Sequence, residues 1–330
     1  FVMSAMEAKK HVVTANKAMV SRYWEELADC ASRNGVEIMA EASVGGGIPV
    51  LRGIDKGLVA NRIEEIMAIV NGTCNYILTR MTLEKMSFNE ALREAQAKGF
   101  AEADPTFDID GIDTMHKLII LSNMSFGTAL KEKDINVQGI RHVDAMDIEA
   151  AGELGYVMKL LASASLKNEG LDVGVHPALV SKSHLLASVN YEYNAIFIKG
   201  DAVGKTLFYG KGAGEMPTAS AVLSDVVHIA KNISNGVVHG KRAAAAATPK
   251  VIMGLKGRTS KFYIRFNVVD HAGVLAKIAG VLGKHGISIE SVMQKSRHST
   301  AKVPVVIMTY EAKEKDFMKA INAIDKMKKI

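Results

Sequence analysis

Cysteine is almost missing from this chain: Cys30 and Cys74 are the only two in 330 residues. That excludes a disulfide-built secreted domain, and neither thiol has a second Cys or His at metal-ligand spacing, so both read as buried free thiols on helices. No stretch approaches the ~18 uninterrupted apolar residues of a membrane span, and the N-terminus lacks the basic-then-apolar order of a signal peptide. A cytoplasmic chain without membrane contact is expected. Charge of one sign is not concentrated anywhere. Lys and Arg total 41 against 35 Asp and Glu, net +6, but bases alternate with acids, as in Glu311-Ala312-Lys313-Glu314-Lys315-Asp316. This speaks against a nucleic-acid partner. The Asn71-Gly72-Thr73 and Asn123-Met124-Ser125 triplets match the glycosylation pattern but carry nothing without a secretion signal. Also lacking is a G-x-G-x-x-G turn after an N-terminal strand, the usual mark of a dinucleotide site.

Sparse aromatics (6%), 48% apolar residues and 28 glycines fit an α/β architecture with many strand-to-helix turns. Residues 11–14 read as a strand, a helix spans 21–34 and closes at Gly35, and 36–40 is the next strand. Asn16, Lys17 and Glu41 then fall beyond the carboxyl ends of strands, where ligands gather in open α/β sheets. A strand over 63–71 turns through Asn71-Gly72-Thr73 into a helix carrying Tyr76, Ile77 and Leu78. Ser87 and Glu90 form a capping box for a helix that ends at Gly99. Strands at 156–167 and 171–180, joined by Asn168-Glu169-Gly170, and a pair around Lys199-Gly200-Asp201 suggest a mixed sheet. A helix spans 217–231 with Pro217 in its first turn. Residues 236–258, with the alanine run Ala243 to Ala247, read as a linker. The remainder runs strand 262–268, helix 273–284, strands 287–295 and 303–310, helix 314–326, a βαββα order.

The richest segment is 95–117, where Glu102, Asp104, Asp108, Asp110 and Asp113 crowd a loop that enters an apolar helix over 112–124. Leu118, Ile119, Leu121 and Met115 face inward there. Asp113 and Lys117 are four residues apart, so they share one helix face with the acid on the N-terminal side. Such a pair holds an ammonium in place. Taken alone, it also describes an ordinary surface salt bridge.

The whole string, Ala95 and Gly99, Asp104-Pro105, Asp108-Ile109-Asp110-Gly111-Ile112-Asp113 and Lys117, resembles the signature of the homoserine dehydrogenases. The resemblance extends from Thr14-Ala15-Asn16-Lys17 to a C-terminal part similar to an ACT amino-acid-binding domain. It implies an NADP- or NAD-dependent hydride transfer between L-aspartate 4-semialdehyde and L-homoserine. Lys117 would donate the proton and Asp113 would aim it. Glu102 would hold the substrate ammonium, Asp108 would line the pocket or cap the helix, and Asn71, Gly72 and Thr73 join the substrate-binding set. Lys17 would be a second active-site lysine contacting cofactor and substrate, with Gly99 and Gly214 beside the cofactor. Glu41 with Val44, Gly46 and Ile48 would bind sodium, through one carboxylate and three carbonyls. His116 and His176, which lack sequence partners, are expected to be structural.

On this resemblance the expected domains are 1–40, a remnant of a Rossmann-like dinucleotide-binding domain without its N-terminal half, with 214–235 packing back on it; 41–213, an α+β domain for catalysis and dimerisation; the 236–258 linker; and 259–330, an ACT-like regulatory domain without its last strand. In that domain Asp270 to Leu275 opens a helix whose free N–H groups suit an amino-acid carboxylate, with threonine the effector the family implies. A homodimer or homotetramer is expected. The competing reading is a non-catalytic amino-acid-binding regulator.

Overall fold

The computed structural model describes residues 1–167, 170–237, 252–253, 258–294 and 302–327. Two compact units divide the chain, one of residues 1–148 and 155–252, the other of 149–154 and 253–330.

The first unit begins with α1 (Val2–Glu7), β1 (Val12–Val13), α2 (Lys17–Arg22), α3 (Trp24–Asn34) and β2 (Ile38–Met39). β1 and β2 pair in parallel, Val12 opposite Ile38. The helix expected from residue 21 starts at Lys17 because Asn16 caps it, its side chain accepting the Met19 amide at 3.0 Å. It then breaks at Tyr23, and the strands shrink to two residues each. α3 ends at Gly35 in the left-handed conformation, as its position required.

After the short α4 (Val50–Arg52) come β3 (Ile63–Ile69), α5 (Gly72–Glu84), α6 (Phe88–Ala97), α7 (Thr106–Ile109) and α8 (Ile112–Phe126). The Ser87/Glu90 capping box forms as expected. α8 runs between Gly111 (φ +84°) and Gly127 (φ +61°). It is buried nearly all round, with Leu118, Ile119, Ile120 and Leu121 fully enclosed. A helix so placed has no solvated face, so its polar residues must find partners inside the protein.

The mixed sheet is present with six strands, adding β4 (Asn136–Val137), β5 (Tyr156–Lys167), β6 (Gly170–Ser181), β7 (Tyr193–Gly200) and β8 (Gly204–Lys211); α9 (Ala145–Glu153) precedes β5. The spatial order is β4-β6-β5-β3-β7-β8, with β4 parallel to β6 and the other pairs antiparallel. β4 has too few residues to show a period in sequence. One face of the sheet carries Ile66, Ala68, Ala162, Ile196 and Ile198 against the helices; the other carries Ile69, Leu161, Ala195 and Phe197. This alternation is what a strand period of two produces. α10 (Glu215–Ser234) closes the unit. The expected turn at 168–169 and most of the expected linker lie outside the described residues.

The second unit contains β9 (Thr259–Ser260), β10 (Tyr263–Val269), α11 (Val274–Lys284), β11 (Ile289–Gln294), β12 (Lys302–Thr309), β13 (Ala312–Lys313) and α12 (Glu314–Asp325). The sheet order β10-β12-β11 is antiparallel, and Ile278, Leu282, Ala320 and Ile324 seal the helices onto Val305 and Ile307. The βαββα order expected from the sequence is therefore found. Among the described residues no helix is long and apolar enough to cross a membrane.

Candidate active site

At the end of β3 the chain passes through Val70 and Asn71 into α5, and α8 lies beside this junction. Asn71 caps α5, its side-chain oxygen accepting the Cys74 amide at 2.8 Å. Its side-chain nitrogen faces the other way. It donates to Asp108 Oδ1 at 2.8 Å and to Asp113 Oδ2 at 2.9 Å, so one side chain ties the helix start to both acids. The Thr73 hydroxyl shares its one hydrogen between the Phe100 carbonyl and Asp108 Oδ2, the latter at 3.1 Å. The Asp108 carboxylate is thus held by the start of α5, and α8 is capped by Gly111 instead. Gly72 has no Cβ because one would stand 2.9 Å from the Glu192 carbonyl.

Asp113 is 3% exposed and sits between two ammoniums. Lys117 Nζ donates to its Oδ2 at 2.7 Å, and Lys17 Nζ lies 3.0 Å from its Oδ1. Burial pushes the carboxyl pKa up, but the charges of Lys117 and Lys17 and the hydrogen bonds from Lys117 and Asn71 outweigh it, leaving the pKa at about 2. The acid is ionised at neutral pH. Lys117 donates a second bond to the Val70 carbonyl at 2.6 Å. Two of its three N–H groups are thus committed, and the third has no partner among the described residues. The i,i+4 pair is no surface salt bridge.

The remaining expected residues separate into three groups. Glu102 is exposed, with its carboxylate unbonded among the described residues; the Gln96 amide donates to its backbone carbonyl at 3.1 Å, and the Thr73 to Phe100 bond anchors the same loop. Gly99 takes φ +74° in the turn that ends α6. Gly214 caps α10 with φ +116°. The loop before it lies against the 44–47 loop, since a Cβ on Gly46 would stand 2.6 Å from the Gly212 carbonyl, and one on Gly212 would overlap Asn194. The 44–47 and 212–214 loops thus pack directly on each other.

The expected sodium ligands are less free than the resemblance implied. Glu41 is 5% exposed, and its two carboxylate oxygens accept the Leu51 and Arg52 amides at 2.8 and 2.9 Å. Its own amide donates to Asp225, which pairs with Arg52 at 2.7 Å. Burial raises the Glu41 pKa against these hydrogen bonds. The Glu41 and Ile48 carbonyls each accept a backbone amide as well, from Val44 and Val50; Val44 and Gly46 are buried. The described residues contain no cluster of three His, Cys, Asp or Glu able to hold a metal.

Cys74 and Cys30 are free and buried, as expected. Burial pushes the Cys74 thiol pKa well up, with Asp108 and Asp113 adding to it, so it is no nucleophile. Sequence reasoning missed the Val70 carbonyl and gave His116 no partner; its ring bonds Ser21 at 2.7 Å. The signal for Val70 was only its place before a helix cap.

A profile of the family described as homoserine dehydrogenase matches residues 49–227, and one of the ACT domain matches 262–328. A homoserine dehydrogenase from Synechocystis is 40% identical over 100% of this chain and 78% of its own length. The crystal structure of a homoserine dehydrogenase from Thiobacillus denitrificans superposes with a TM-score of 0.94 at 39% identity, covering 99% of this chain and 76% of that one. A hyperthermophilic archaeal homoserine dehydrogenase in complex with NADPH has a TM-score of 0.62 at 31% identity, covering 70% of this chain and 67% of that one. The chain belongs to the homoserine dehydrogenase family.

Proposed function

We propose that this chain interconverts L-aspartate 4-semialdehyde and L-homoserine with Lys117 as the proton donor to the substrate oxygen. The observation that carries this reading is the uncommitted third N–H of a lysine whose other two are fixed at 2.7 Å on Asp113 and 2.6 Å on Val70. Two fixed bonds restrict where the third can point. As negative charge grows on the aldehyde oxygen, that N–H stabilises it and then supplies the proton. In the reverse direction Lys117 enters as the neutral amine, its extra proton lost to solvent, and takes the hydroxyl proton. Asp113 aims the amine, and Lys17 adds a second positive charge at the mouth of the site. Glu102 binds the substrate ammonium from the loop that Thr73 anchors, and the Asn71-Gly72-Thr73 turn shapes the pocket floor.

NADP or NAD, when bound, carries the hydride. The residues suit it: the N-terminus of α10 follows a loop where Gly212 admits no side chain, and Lys17 is one-third exposed beside Asp113. We place the dinucleotide against Lys17, Gly99 and Gly214. Residues 1–40 with 214–235 act as its binding part, supported by the parallel β1/β2 pair and the Asn232 to Glu37 bond at 3.3 Å. Residues 41–213 carry the chemistry, 236–258 link, and 259–330 regulate. A sodium ion in the 41–48 loop rests on the buried Val44 and Gly46 segment, and requires Glu41 to use lone pairs left over from its amide bonds. Threonine is the effector proposed for the ACT unit. A homodimer or homotetramer would cover the apolar second face of the sheet, where Tyr193 stacks on the exposed Tyr209. The two reduced, buried cysteines suit a cytoplasmic site.

Homoserine-dependent reduction of NAD⁺ or NADP⁺, followed by absorbance of the reduced nicotinamide, tests the reading. Turnover that saturates with homoserine is expected. Dinucleotide binding without turnover would overturn it in favour of a non-catalytic regulator.

A further inference from the structure

Two contacts tie α2 to α8. The first is the Lys17 to Asp113 ion pair at 3.0 Å. The second joins Ser21 Oγ to His116 Nδ1 at 2.7 Å, between residues that are 2% and 0% exposed. Lys17 and Ser21 are four apart on α2, and Asp113 and His116 are three apart on α8, so each helix presents its two members on one face, a turn apart.

Ser21 Oγ meets the Ala18 carbonyl at 3.1 Å, to which it can only donate, and His116 Nδ1 at 2.7 Å, where the donor is set by the imidazole tautomer. Nε2 is buried without a hydrogen-bond partner among the described residues, so Nδ1 carries the only hydrogen bond of the ring there. Burial lowers the imidazole pKa, against Glu132, whose carboxylate is 3.8 Å away. Phe107 packs on the ring at 5.8 Å and 23°, and the Lys17 ammonium lies 5.9 Å from the centre of that same phenyl ring.

α2 needs such an anchor. It has six residues, it breaks at Tyr23, and Lys17 stands in its first turn. The outer Arg22 to Glu132 pair is solvent-exposed and holds it weakly. We infer that His116 is a positioning residue, whose Nδ1 hydrogen bond with Ser21 fixes α2 against α8 and so sets the Lys17 ammonium on Asp113. The consequence for turnover rests on the role proposed for Lys17 above; the placement of Lys17 does not.

Three variants of the whole chain separate the possibilities. Ser21→Ala removes the hydroxyl. His116→Asn keeps an amide, able to donate or accept, near the place of Nδ1, whereas His116→Gln moves it to the place of Nε2. The first readout is the rate at which acetic anhydride acylates Lys17, followed by peptide mass spectrometry, with the melting temperature measured alongside. Lys17 is expected to react several-fold faster in Ser21→Ala and His116→Gln, and at the parental rate in His116→Asn. The second readout is kinetic. In the same two variants kcat/KM is expected to fall by about tenfold or more, because small misplacements of catalytic groups are expensive in rate. Unchanged acylation in Ser21→Ala and His116→Gln, or equal acceleration in His116→Asn and His116→Gln, would overturn the inference. Faster acylation with unchanged kinetics would uphold it and remove Lys17 from the proposed chemistry.

Discussion

Replacing Asp113 by Asn changes one charge and almost no volume. The carboxylate accepts Lys117 at 2.7 Å and Asn71 at 2.9 Å on one oxygen, and pairs with Lys17 at 3.0 Å on the other. Its pKa of about 2, against 3.8 for a free side chain, means that the fold favours the ionised form by about 2 kcal/mol after burial has been overcome. Because the folded pKa is the lower one, that stability is present above pH ~4 and is lost as pH falls through ~2. The amide forfeits it and leaves two ammoniums facing a neutral group, and breaking a buried pair costs about 3 to 5 kcal/mol. Lys17 is one-third exposed and water relieves part of that, so about 3 kcal/mol is expected in urea unfolding at neutral pH. In steady-state assays with homoserine, kcat should fall by about 10²-fold or more, since Lys117 loses the partner that aims it. An Asp113→Asn variant with parental kcat and parental unfolding free energy would refute the reasoning.

Glu102→Gln should raise KM for homoserine by about tenfold while leaving the KM for dinucleotide unchanged, because an exposed carboxylate on a loop contributes charge to the substrate ammonium and little to the fold. Gly212→Ala should destabilise the chain and weaken dinucleotide binding in a direct titration, since the added methyl would meet the Asn194 amide at 1.9 Å. Lys159, 1% exposed on β5, has its pKa lowered by burial from 10.5 to about 8. Below pH ~8 its charging opposes folding, and as pH rises from ~8 to ~10 the unfolded chain holds more protons than the folded one, so denaturant unfolding should show up to about 3 kcal/mol of added stability that Lys159→Met lacks.

How far the sequence reached depended on range. The Asp113/Lys117 pair, the Ser87 capping box and the Gly35 helix end are local, set by residues within four positions, and all were legible. The βαββα order of the C-terminal unit followed from strand and helix periods. What stayed hidden was tertiary. Asn71 bridges to an acid 42 positions away, and the lysine's second acceptor is a main-chain carbonyl, which carries no side-chain signature. α2 begins four residues before the expected start at 21 because Asn16, expected on the ligand side, caps it. Lys159 interrupts an apolar strand, and its partners, the Asn75 oxygen at 3.1 Å and the Val189 carbonyl, come from other elements. The Leu51 and Arg52 amides that occupy the Glu41 carboxylate lie ten and eleven positions away and leave no mark in the 41–48 motif.

The central claim is that Lys117 delivers the proton. Its most direct measurement is the turnover of Lys117→Ala with homoserine at saturating dinucleotide, with dinucleotide affinity measured separately by titration. A fall in kcat of about 10²- to 10⁴-fold with unchanged affinity is predicted. A rate within threefold of the parent at unchanged affinity would contradict it.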